Sequence, residues 1–201
     1  VLHRSLVVAA ALATSLTVAP FAPAALVHVR VEGKTRTIFG PTEPRVPATT
    51  PLEALAAAAR VGEFFYHVTA SSFGNYVDQI GLYPAAGTSG WVYKVNGASP
   101  PVGADQGKLS NGDSILWYWA TFGPAGGPPT LTIVKVQRRC YRVVEQDDSG
   151  KTTAAAGAVL HVGRGTVRTH VATGAAVACL RGRHGTVWAT LAGAVRSNRL
   201  P

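Results

Sequence analysis

Trp91-Val92-Tyr93-Lys94-Val95-Asn96-Gly97, then Asn111-Gly112-Asp113 and the run Ser114-Ile115-Leu116-Trp117-Tyr118-Trp119-Ala120-Thr121, are the residues whose reading decides the fold. Bulky aromatic and β-branched residues dominate both runs, which suits pleated strands. Asn-Gly is the dipeptide most tolerant of positive φ, so Asn96 and Gly97 predict a tight hairpin turn. Gly112 and Asp113 predict a second sharp turn, feeding the aromatic strand. All four residues read first as turn residues: Gly for backbone freedom, Asn and Asp for local hydrogen bonds. On a strand, side chains alternate between faces. Trp91 and Tyr93 therefore share one face, as do Ile115, Trp117 and Trp119, while Tyr118 points the opposite way.

Upstream, Val27, Val29 and Val31 alternate with His28, Arg30 and Glu32, the period of a half-buried strand. Gly33-Lys34 turns the chain, and Thr35 to Phe39 predicts a returning strand. A Pro-rich stretch follows from Gly40 to Thr50. Thr50-Pro51-Leu52-Glu53 has the form of a helix start: Thr50 caps, Pro51 suits the first turn, and Glu53 reaches back to close a capping box. The Ala-rich run to Arg60 propagates that helix, with Gly62 as its end. Phe64 to Val68 and Tyr76 to Ile80 predict further short strands. Strands with one helix across them make an α+β unit over residues 25–122.

Gly123-Pro124-Ala125-Gly126-Gly127-Pro128-Pro129 reads as a linker, because it continues neither strand nor helix. The charge changes there too. Seven bases face seven acids between Ala25 and Gly127, whereas eleven bases face three acids from Pro128 onward. Most of the net charge of +9 therefore lies in residues 130–201. That half reads as an all-β unit: Thr130 to Val136, Cys140 to Glu145, Val159 to Val162, Thr166 to Ala172, Ala175 to Leu180 and Thr186 to Leu191 are short strands split by glycines. Such spacing predicts a β-sandwich. Its basic surface would attract anionic wall polymer, lipid headgroups or stray nucleic acid, with a merely solvated face as the plainer reading.

At the other end, Val1 to Ala24 divides as a secretory signal peptide. His3 and Arg4 form the basic region, Leu6 to Val18 the apolar core, and Ala22-Pro23-Ala24 the cleavage site. Methionine is absent, and Val1 reads either as the first residue of a fragment or, the reading preferred because a signal peptide follows, as a literally translated GUG start that points to a bacterial gene. An uncleaved anchor is the other reading of this segment. No later stretch is long enough to span a bilayer. The expectation is a secreted or cell-surface monomer. Cys140 and Cys179, an even pair in an oxidising compartment, read first as a disulfide worth roughly 4 kcal/mol on the chain-entropy model. Two buried free thiols are the alternative.

The run Gly90 to Gly97, with Gly103-Ala104-Asp105, Leu109, Gly112-Asp113 and the strand Ile115 to Tyr118, resembles the transcobalamin-like C-terminal domain family. Val31-Glu32-Gly33-Lys34-Thr35 and the capped helix at Thr50 extend the resemblance over Leu26 to Phe122. It implies a β-grasp-like fold. In the animal carriers of vitamin B12 such a domain covers one face of cobalamin, and a helical barrel supplies the other. This chain has no room for the barrel, so cobalamin enters as an analogy, with another flat small molecule equally open. Residues 130–201 resemble, more loosely, the immunoglobulin- or transthyretin-like sandwiches of bacterial surface proteins.

Trp91, Tyr93, Trp117, Tyr118 and Trp119 are accordingly the candidate ligand-binding residues. Core packing is the competing role for each ring. Tyr118 is the ring expected to be exposed for stacking. No His-Glu-x-x-His, no Gly-x-Ser-x-Gly and no Cys signature of a protease occurs, and no metal-ligand spacing is present. The expectation is a non-catalytic module for a small-molecule or surface ligand, without specific nucleic-acid recognition. The alternative is attachment to anionic cell-wall polymer through the basic sandwich.

Overall fold

The computed structural model describes residues 24–71, 74–124, 126–182 and 184–201. The signal peptide expected over Val1 to Ala24 thus lies outside the described residues, apart from Ala24. Strands dominate, in several sheets, and among the described residues there is a single helix.

β1 (Ala25–Glu32) is the centre of the first sheet. β2 (Thr37–Phe39) and β3 (Arg45–Ala48) share one edge of it, pairing with its second and first halves in turn. β3 lies in the stretch read only as Pro-rich; its Pro47 is on an edge strand, where a missing N–H is tolerated. The other edge of β1 pairs in parallel with β8 (Ser114–Thr121), and β8 pairs antiparallel with β7 (Ser89–Val95). A parallel pair needs a crossover. Here the crossover carries the helix α1 (Pro51–Gly62) and a small sheet of β4 (Tyr66–Ser71), β5 (Gly74–Ile80) and β6 (Tyr83–Pro84).

Helix α1 starts as its sequence predicts: Thr50 Oγ1 accepts from Glu53 N at 3.2 Å. The Glu53 carboxylate reaches one residue further back than a capping box would. It accepts from the Thr49 amide at 2.8 Å and from the Thr49 hydroxyl. Those bonds hold its pKa below the ordinary value. Gly62 does not end the helix. Glu63 does, in the left-handed region at φ 50. Gly62 is needed for close approach instead, since a methyl group there would stand 2.5 Å from Phe39 Cδ2.

Asn96-Gly97 makes the expected tight turn, with Val95 and Ala98 exchanging backbone hydrogen bonds, but Gly112-Asp113 does not close a second hairpin. They lie at the two ends of one connection between β7 and β8, and they clasp each other. Asn96 Nδ2 donates to Asp113 Oδ1 at 2.8 Å, and Ser114 N donates to Asn96 Oδ1 at 2.9 Å. Asn96 and Gly97 both take positive φ, 51° and 88°.

The second unit has two sheets around one core. In the larger, β10 (Cys140–Gln146) pairs along its length with β9 (Thr130–Gln137). On its other side it meets β15 (Ala175–Cys179) and then β11 (Thr152–Ala154). The smaller sheet is β13 (Gly165–Arg168), β12 (Val159–Val162) and β16 (Val187–Thr190). Thr166 to Ala172, expected as one strand, is two. β13 joins the small sheet, whereas β14 (His170–Ala172) pairs with β15. Thr169 makes the corner: it is buried, its N–H bonded to Ala158 O and its hydroxyl to Ala155 O. Leu131, Ile133, Val143, Leu160 and Val187 from both sheets fill the core. The expected Cys140–Cys179 disulfide is present, joining directly paired residues of β10 and β15.

Residues 195–200 return as a strap. Val195 bridges Thr130, Leu200 bridges Val187, and Arg199 N donates to Pro41 O of the first unit at 2.7 Å.

Candidate functional site

The first sheet has two unlike faces. On one, Val27, Val29, Val31, Ile115, Trp117 and Trp91 pack on Ala54, Leu55 and Ala58 of α1. Trp117 Nε1 donates to Pro51 O at 3.2 Å, and Tyr93 leans on Trp117 with ring centroids 5.2 Å apart. The Tyr93 hydroxyl donates to Val102 O at 2.7 Å, and burial raises its pKa. Trp91 is buried, donating to Tyr83 O, with Trp119 edge-on at 5.7 Å. Trp91 and Trp117 are therefore core residues, while Tyr93 and Trp119 are half-buried at its margin.

The opposite face carries Arg30, Glu32, Lys94 and Tyr118, and the second unit covers it. Tyr118, expected to be exposed, retains only 1% of its surface. It is roofed by the Asp147-Asp148 turn, its hydroxyl donating to Asp148 Oδ1 at 3.3 Å. Burial drives its pKa well upward, with the Asp148 charge adding to the effect.

Lys94 is wholly buried. Its Nζ donates to Asp147 O (2.8 Å), Gln146 O (3.1 Å) and Thr130 Oγ1 (3.2 Å), with the Asp148 carboxylate at 3.6 Å. Burial lowers its pKa; Asp148 and Asp147 oppose that. Beside it, Glu32 accepts from Arg196 Nε at 3.0 Å and from the Thr37 hydroxyl at 3.0 Å. Arg30 donates to Arg196 O at 2.7 Å, and its Nε lies 3.2 Å from Glu43 Oε1 without hydrogen-bond alignment. Buried charges are tolerated only when paired and bonded in this way. None of these residues stood out in the sequence as functional. The available signal was that Arg30, Glu32 and Lys94 alternate with apolar residues on strands that need burial on both sides.

At the margin of this seam a cleft of about 330 Å³ opens between the units. Its lining includes Gly33, Lys34 and Trp119 from the first unit, with Gly193 and Arg196 from the second. Arg196 is fixed there, its Nη2 donating to Gly33 O at 2.6 Å. Trp119, one of the expected aromatic residues, thus lines an open cavity between the units. A lining that combines Trp119, peptide groups of Gly33 and Gly193 and the Lys34 cation, with the Arg196 charge already met by Glu32, suits a small molecule that bears a hydrogen-bonding or negative edge.

On the exposed β4–β5 hairpin, His67 Nδ1 sits 2.7 Å from Asp78 Oδ1, and the Thr69 hydroxyl bonds Asp78 Oδ2 at 2.8 Å. These bonds keep the Asp78 pKa low although burial works the other way. Among the described residues, no group of three or more His, Cys, Asp or Glu could hold a metal ion. No described helix is long and apolar enough to cross a membrane.

Residues 52–121 match a family described as a domain of unknown function (DUF4430). The match runs from helix α1 to the end of β8, so it takes in the aromatic strands but not β1. No curated protein matches the chain.

Proposed function

We propose that the chain is an exported, monomeric, non-catalytic binding protein that takes a flat small molecule at the Trp119 cleft. The first unit, in this reading, is a transcobalamin-like domain of β-grasp type. The parallel β1–β8 pair with α1 across it supports that assignment. The second is an immunoglobulin- or transthyretin-like sandwich. The disulfide supports an oxidising, extracytoplasmic setting.

The observation that supports the binding role is that half-buried Trp119 lines an inter-unit cleft together with Lys34 and Arg196. Its volume, about 330 Å³, is at the small end of ligand sites, roughly 300–1,000 Å³. Cobalamin would lie across such a mouth rather than inside it; a smaller aromatic acid would enter. The test is a calorimetric titration with cobalamin of the wild type and of Trp119→Ala. Saturable one-to-one heat that the variant loses, with its melting temperature kept, supports the reading. Absence of heat in the wild type removes cobalamin and confines the resemblance to fold.

A second reading, attachment to anionic wall polymer, is favoured by the charge layout. The second unit's acids, Glu145, Asp147 and Asp148, gather at one end of β10 or just beyond it, towards the first unit. Its other end is lined with arginines.

A further inference from the structure

We propose that the disulfide-bounded end of the second unit is a docking site for an anionic polysaccharide, gripped by Arg138, Arg139 and Arg181. The inference rests on the attachment reading and gives it a place.

The site is built by two turns. Arg138 and Arg139 occupy the β9–β10 hairpin turn, with Arg139 in the left-handed region at φ 61. Arg181 follows β15 in the neighbouring loop. The Cys140–Cys179 bond staples the strand ends that carry these turns, and Leu180 N donates to Arg139 O at 2.8 Å. Between them lies a cleft of about 550 Å³, lined by both cysteines, Gln137 and the three arginines. Arg139 is oriented by the His184 ring, whose nitrogens lie 2.8 and 3.2 Å from its Nη2.

The cations are uncompensated. Among the described residues, every ion pair with a carboxylate lies elsewhere: on Arg30, Arg196, His67 or Lys94. The nearest acids of this unit on the same strand are at the far end of β10. Six residue steps from Arg139 to Glu145, at ~3.4 Å each, put them about 20 Å away along the strand, beyond a Debye length of about 8 Å at physiological salt. The guanidinium fork matches carboxylate and phosphate oxygens in pairs. Three such forks in one shallow cleft suit a chain that repeats its acidic group.

The lining also selects among polyanions. Among the described residues it holds no Trp, Tyr or Phe ring on which a nucleobase could stack, and the His184 ring beside it is engaged by Arg139. Its one large aliphatic side chain, Leu180, is buried and offers nothing to insert into a bilayer. A polysaccharide needs neither feature.

The test uses the full chain and polygalacturonate as probe, with neutral dextran, single-stranded DNA and phosphatidylglycerol vesicles as competing arms. Arg138→Ser/Arg181→Ser is compared with Lys151→Ser/Arg164→Ser, which removes the same charge from exposed positions elsewhere on the unit. Melting curves of both variants check that these surface changes leave the fold intact. The wild type should bind polygalacturonate but not dextran, more weakly as salt rises. The first variant should lose about tenfold in affinity and the second less than about threefold. Equal losses would overturn the site while leaving attachment through general basicity standing. No wild-type binding to polygalacturonate at low salt would overturn both. Tighter binding to DNA or to vesicles would overturn the polysaccharide assignment.

Discussion

Lys94→Met isolates the polar seam, because methionine keeps most of the buried stem and removes only the ammonium. Three acceptors lose their donor: Asp147 O, Gln146 O and Thr130 Oγ1. The Thr130 hydroxyl, 3.5 Å from Gln146 O, can turn to serve that carbonyl. Asp148, with 47% of its side chain exposed, rehydrates. Asp147 O is left as the main orphan, at about 1–3 kcal/mol, with a smaller residue from Gln146 O. Against this stands relief from burying a charge, which burial already disfavours. A net loss of about 2 kcal/mol follows, which for a chain of this size is a melting temperature lower by about 4–8 °C. The pH response gives a second readout. The folded pKa of Lys94 lies below its ordinary 10.5, so between the two the unfolded chain binds the proton more tightly. Wild-type stability from this group therefore rises with pH through that interval, and the variant lacks the rise. Thermal unfolding followed by circular dichroism measures both. An unchanged or higher melting temperature would refute the reasoning, since the seam would then contribute no net stability.

Gly62→Ala should lower the urea midpoint even though alanine favours a helix by about 1 kcal/mol; overpacking on Phe39 costs about 1–3 kcal/mol, and a raised midpoint would contradict the contact geometry. Glu53→Gln should flatten the acid limb of stability. The folded carboxyl titrates below its ordinary 4.5, so its contribution is present above that value and lost as pH falls through the folded pKa. Urea midpoints measured between about pH 5 and about pH 3 would then converge for variant and wild type. Replacing both cysteines by serine should reduce unfolding free energy by about 4 kcal/mol, the chain-entropy value for a separation of 39 residues. Equilibrium urea unfolding reads that loss directly, and a loss near zero would place the constraint elsewhere.

Local chemistry made much of this fold legible. The cap at Thr50, the alternation of Val27, Val29 and Val31, and the positive-φ pair Asn96-Gly97 each act within a few residues. Pairing over distance was not legible. Asn96 and Asp113 read as belonging to separate hairpins because their hydrogen bond crosses a connection that gives no local sign of closing. Thr169 read as mid-strand because a corner between sheets is set by what packs on either side of it. Tyr118 failed for the same reason on a larger scale. Alternation correctly put it opposite Trp117, but whether that face is wet depends on Asp148 and on a strap more than 70 residues away. Trp119, by contrast, is half-buried at the sheet margin, where neither core nor seam fully covers it.

The strap of residues 195–200 has a consequence for the order in which the molecule can be made. Glu32 and Arg30 are among the earliest described residues to be synthesised, yet their partner Arg196 is among the last. A chain emerging from its N-terminus can pair β1 with β2 and β3 at once, and Lys94 and Tyr118 can be covered once the Asp147-Asp148 turn is made, but Arg30 and Glu32 lack their partner until residue 196 is available. The Arg30–Glu32 end of the seam is therefore completed after the Lys94 end. Until the strap is made, water serves the charges at that end of the seam in place of Arg196, and closure of the strap exchanges the water for Arg196.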